Sequence, residues 1–140
     1  MRLLFLILVT TFYFVNAAPV SKKEKERKFP KEAIIQSIFD LDRLQSYLHP
    51  EISGRVPLVV SDHLIGRKLK LNKFKKKVKI VSDKNISGAY IRFTMFECKV
   101  EPAYCNIAFE YPIEGVKGST GVSISPDGSY KFEKTDISEN

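Results

Sequence analysis

The chain has 140 residues, 44% of them hydrophobic and 28% charged, with a net charge of +7. That length fits a single domain that can bury a core without metal or many disulfides. Two cysteines and two histidines leave little material for a cysteine-rich scaffold or a structural zinc site, and the basic balance suits anionic partners or simply solubility.

The first segment reads as a secretory signal. Arg2 supplies a positive start, residues 3–15 are apolar or weakly polar, and Ala17 offers the small residue that a signal peptidase needs. The apolar run is shorter than the roughly 20 residues that cross a bilayer, so no transmembrane segment is expected. Residues 1–17 are therefore expected to be clipped after Ala17, leaving a secreted or periplasmic protein. No cysteine follows the apolar run, which excludes a lipid-modified N-terminus of the bacterial type. Residues 18–28 contain SKKEKERK, a flexible basic leader with no apolar period.

A domain is expected over residues 29–140. Pro30 suits a first helical position and Glu32 the first turn. Ile34, Ile38, Leu41, Leu44 and Leu48 recur at helical spacing, widened by Ile35 and Phe39, which predicts one helix ending at His49 and Pro50. Strand patterns follow. Val56 to Ser61 contains Pro57 and reads as an edge or irregular strand. Residues 67–81 alternate, with a phase slip near Asn72 and Lys73 that predicts a turn or bulge. Ala89 to Cys98 and Tyr104 to Tyr111 form the strongest strand pair, a hairpin with Pro102 in its connection. Ser119 to Ser125 and Tyr130 to Thr135 flank the Pro126-Asp127-Gly128 turn.

Cys98 and Cys105 form an even pair in an exported chain, which predicts a disulfide. Pairing them sets Phe96 opposite Ile107 and Thr94 opposite Phe109. The fold class is α+β: one N-terminal helix packed on a curved antiparallel sheet of five to six strands, in a cystatin-like or similar helix-on-sheet arrangement. The Q-x-V-x-G hairpin of the cystatin inhibitors is missing. A ketosteroid-isomerase-like cone, the other shape nearby, has three N-terminal helices where this chain offers one.

The loudest local signal is basic. Arg67, Lys68, Lys70, Lys73, Lys75, Lys76, Lys77 and Lys79 fall within thirteen residues that hold no acid. One reading is an anion-binding strand pair for lipid head groups or polysaccharide, with salt-sensitive affinity. The other is a solvated edge whose lysines block strand-to-strand aggregation. Phe74 alone interleaves, so base stacking is poorly supported, and export argues against nucleic acid. Catalytic signatures are absent: there is no GxSxG and no HExxH. His63 follows Asp62 directly, a geometry that points the two side chains to opposite faces of a strand. Asp42 falls beside the apolar stripe, where it could serve as a base in a pocket or simply bond to backbone. His49 suits a helix C-terminus. A zinc site from His49, His63, Cys98 and Cys105 has no usual ligand spacing. Gly115, Gly118 and Gly121 lack the strand-turn-helix context of a phosphate loop and suit turns and bulges. No cofactor is expected.

The C-terminal half carries Phe93, Phe96, Phe109, Tyr111-Pro112, Glu114-Gly115 and the Asp127-Gly128 turn. In these packing and turn residues it resembles small exported α+β proteins of Bacteroidota bacteria. Those proteins have no assigned function, so the resemblance implies a compartment and a shape. The expectation is an exported binding or interaction module, not an enzyme. Its ligand would be a peptide, an envelope component or a small apolar molecule held on the sheet. A basic surface protein and a small hydrolase or isomerase using Asp42 or His63 remain as alternatives.

Overall fold

The computed structural model describes residues 29–140; the expected signal and leader, residues 1–28, lie outside the described residues. The helical region is two helices, α1 (Lys31–Phe39) and α2 (Asp42–Leu48), where the sequence pattern predicts one. The N–H of Asp40 turns back to Ile38 and Ser37, and Leu41 is extended at φ −62, ψ 123. The physical reason lies in the apolar period. On one straight helix the directions of Ile34, Ile35, Ile38 and Phe39 would centre roughly 130° from those of Leu44 and Leu48. Breaking the helix at Asp40 and Leu41 lets both sets reach the core, and all six are buried.

Four long strands form an antiparallel sheet in chain order: β5 (Arg92–Val100), β6 (Ala103–Tyr111), β7 (Val116–Ile124) and β8 (Tyr130–Glu139). The remaining strands are short. β1 (Val59–Ser61) pairs in parallel with β4 (Lys79–Val81), and β2 (Asn72–Lys73) forms a hairpin with β3 (Lys76–Lys77). The α+β class therefore stands, while the five-to-six-stranded antiparallel sheet is corrected to a four-stranded one with a parallel pair beside it. That pair joins through Ile91: the N–H of Ser61 donates to Ile91 O at 2.9 Å, and the N–H of Ile91 donates to Val59 O at 3.0 Å. β1 thus lies between β4 and the start of β5, and is not an edge. Pro57 precedes the strand, so its missing N–H removes no ladder bond.

Cys98 and Cys105 form a disulfide, with Cα atoms 4.0 Å apart. Phe96 faces Ile107 as that pairing demands, but Thr94 does not face Phe109. The register shifts between Phe93 and Met95, and Phe93 takes the place opposite Phe109. Strict alternation would turn Thr94 inward. The bulge instead sends in Phe93, whose ring lies 6.1 Å from that of Phe109 and 6.2 Å from that of Phe96. The aromatic side chain has far more surface to remove from water than threonine has.

Two of the three glycines sit where turns and bulges require them. Gly115 adopts φ +64, and Gly121 borders a register shift between β7 and β8. Gly118 also makes room: a Cβ there would run into the Phe109 ring opposite, as one on Gly121 would meet the Tyr104 hydroxyl. The helices close the other side of this core. Tyr130, at the start of β8, bonds through its hydroxyl to Ser37 Oγ at 2.7 Å and to the carbonyl of Ala33 at 3.0 Å. Arg55, itself buried, donates to the Tyr111 hydroxyl at 2.6 Å and pairs with Glu114, which ties the loop after α2 to the β6–β7 connection.

Candidate functional site: the basic end

The segment carrying the lysines is held by α1. Glu32, Gln36 and Asp40 are spaced by four and so share one face of that helix. Glu32 accepts the N–H of Lys70 at 2.8 Å. The Gln36 amide accepts the N–H of Asn72 at 3.0 Å and donates to the Asn72 carbonyl at 2.8 Å, so it acts as a short strand partner. Asp40 accepts from Lys73 Nζ at 2.8 Å. This polar stripe was the signal in the sequence that could have located the clamp, because it repeats at helical spacing beside the apolar one.

The clamp sorts the basic residues. Lys73 leaves the predicted anion-binding set: its side chain is only 7% exposed, its charge is spent on Asp40, and its ammonium lies 5.4 Å from the centre of the Phe74 ring. Arg67 is 63% exposed but bonds Asp62 at 2.7 Å. Lys68, Lys70, Lys75, Lys76, Lys77 and Lys79 are exposed, and none forms an ion pair among the described residues. The expected turn near Asn72 and Lys73 falls at Phe74 and Lys75, both left-handed at φ 53 and φ 57. A two-residue hairpin loop with both positions at positive φ is the primed type that matches strand twist, and it ordinarily takes Asn or Gly.

A groove of about 360 Å³ opens at this end. It is lined by the five consecutive residues 77–81 together with Arg67 and Leu69. Consecutive residues of a strand point to alternate faces, so a groove touching all five runs along the strand's edge and not over one face. The opposite, solvent side of the four-stranded sheet has a different character. Two shallow depressions there share Ala108 and Ser119, and the side chains around them include Glu97, Asn106, Lys134 and Asp136.

The catalytic candidates are scattered and engaged elsewhere. Asp62 accepts from Arg67 and from the N–H of Asp83 at 3.0 Å. The Arg67 bond, then the Asp83 amide, hold its carboxyl below the usual carboxylate range. His63 contributes its backbone N–H to Ser61 Oγ at 3.1 Å. His49 stands at the C-cap of α2 in the left-handed conformation, with Nδ1 3.0 Å from Glu51. Asp42 is exposed in the first turn of α2 and not at the edge of a pocket; the helix break turned it away from the stripe. Neither Asp42 nor His63 lines the grooves described above. Both cysteines are in the disulfide. Among the described residues no cluster of three or more His, Cys, Asp and Glu is placed to hold a metal, and no helix is long and apolar enough to cross a membrane.

No protein-family model matches this chain, and neither a curated protein nor a solved structure matches it.

Proposed function

We propose that this protein is an exported, non-catalytic binding module that docks on an anionic partner through its basic end. One observation carries the reading. Six exposed ammonium groups, without carboxylate partners among the described residues, are presented by a segment that α1 holds at three points. Charges left unpaired on an anchored segment cost little ordering entropy when a partner arrives. Export rests on the signal-like first seventeen residues, and the disulfide is of the kind that persists in an oxidising compartment.

The test is binding of the oxidised protein to phosphatidylglycerol vesicles and to a sulfated polysaccharide over a range of salt. Affinity for at least one of them should fall steeply as salt rises. It should also fall when Lys70, Lys75, Lys76 and Lys77 are replaced together by Gln. Binding that ignores both salt and those substitutions would exclude the reading.

A second reading concerns the open sheet face. Glu97, Asn106 and Asp136 surround a floor of small residues there and bond to no other side chain among the described residues. A neutral polar ligand seated on that floor would shift the amide resonances of β6 and β7 while leaving those of α1 and α2 in place, and Ala108→Trp would block it.

A further inference from the structure

The parallel pairing of β1 with β4 leaves one side of β4 without a partner. The N–H of Lys79 donates to Leu58 O and the N–H of Asp62 donates to Val81 O, each at 2.9 Å. In this parallel register, Val59 with Lys79, Val60 with Ile80 and Ser61 with Val81, the peptide groups of Lys79 and Val81 point to β1. Those of Ile80 therefore point the other way, into the groove, and find no hydrogen-bond partner among the described residues. Lys77, Lys79 and Arg67 border that groove, and Leu69 and Ile80 give it apolar wall.

An unpaired edge is a template for another strand. The charges around it decide which strand. A second copy of β4 added in parallel would set Lys79 against Lys79, and like charges directly opposite destabilise a strand pair; an antiparallel copy centred on Ile80 would set Lys79 against Val81 and bring it no carboxylate. The sequence SKKEKERK near the N-terminus carries five basic residues against two acidic ones, the same sign as the edge. The lysines thus favour a partner of opposite sign, since specificity is built by repulsion as well as attraction.

We propose that β4 is a receiving edge: an acidic peptide segment in extended conformation adds to it as a strand, pairing with the peptide group of Ile80 while its carboxylates meet Lys77 and Lys79. This deepens, and rests on, the reading of the basic end as an anion-docking surface.

The experiment titrates the oxidised full chain with a capped peptide of alternating Glu and Val. Two analogues carry N-methyl groups on one or the other alternate set of amides, and phosphatidylglycerol vesicles serve as an anion without a peptide backbone. Only one alternate set of amides can face β4. The plain peptide should bind one to one, and one N-methylated analogue should bind at least about tenfold more weakly while the other keeps its affinity. The paired substitution Lys77→Gln and Lys79→Gln should weaken the plain peptide by about tenfold as well. If both analogues bind alike while vesicles are still bound in a salt-dependent way, strand addition is overturned and anion docking stands. Peptide binding that ignores the two lysine substitutions overturns the placement on β4. Failure to bind peptide, vesicles and sulfated polysaccharide overturns both readings.

Discussion

The two ends of this molecule are built on different principles. From β5 to β8 each strand pairs with its chain neighbour, and the pattern of one strand sets the register of the next. At the basic end, β1 reaches past seventeen intervening positions to β4, and α1 supplies side chains where a strand would supply backbone. The first region is held by side-chain packing and a covalent staple. The second is anchored by a few core residues, Val60, Leu71 and Val78 among them, and by a few polar contacts, with charge left over. A stable scaffold can carry a charged, sparsely paired end without the whole domain bearing its cost, and sparsely paired regions are the ones that open and bind.

That contrast can be broken at several points. The largest effect is expected in the sheet. Replacing Cys98 and Cys105 together by Ser should destabilise the protein by about 2.5 kcal/mol on the chain-entropy account, measured by denaturant unfolding. Equal stability of the variant and the parent would mean that packing alone pins the hairpin. Gly118→Ala comes next, at about 2 kcal/mol, because the Phe109 ring must leave the space it holds. Gly54→Ala, where a Cβ would meet nothing within 4 Å, makes a control that separates this crowding from backbone strain.

Smaller effects are expected at the basic end. Asp40→Ala should cost about 1 kcal/mol by stranding the Lys73 ammonium, the loss being tempered by the exposure of the carboxylate. Adding Lys73→Met should recover most of it. Lys75→Gly should raise stability by about 0.5–1 kcal/mol, since glycine takes the left-handed position without a Cβ clash; a loss would show that the Lys75 side chain makes a contact worth more than the strain. The smallest change is in pH dependence. Asp62 has its pKa lowered in the folded state, first by Arg67 and then by the Asp83 amide. Its contribution is present above the ordinary carboxylate value of about 4 and is lost as pH falls through the lower folded value. Asp62→Asn should flatten the acid limb of the stability curve and leave the neutral region parallel to the parent's, as read by thermal unfolding between pH 2 and pH 7.

Much of the sheet was legible because its information is local. Alternation in Tyr104 to Tyr111, the Asp127-Gly128 turn and the paired cysteines each act within a few residues, and together they place Phe96 against Ile107. The miss at Thr94 has the same origin. Alternation assumes an unbroken pleat, and only the finished core shows that Phe93 gains more than Thr94 from facing inward. The helix break was likewise written in the phase of the apolar residues, but it becomes decisive only when both halves must meet one surface. At the basic end the sequence displayed the charges without their partners. Lys73 looks like its neighbours until Asp40, thirty-three positions away, takes it out of the solvent.

By itself, the sequence determined the α+β class, the disulfide hairpin and the concentration of positive charge, because periodicity and composition act through nearest neighbours along the chain. Tertiary structure alone decided which lysines stay free, which helix residues hold their segment and that β4 has one side open. Those properties arise from pairings between distant segments, where the gain on contact must outweigh the entropy of closing a long loop, and no local pattern records which of the competing closures wins.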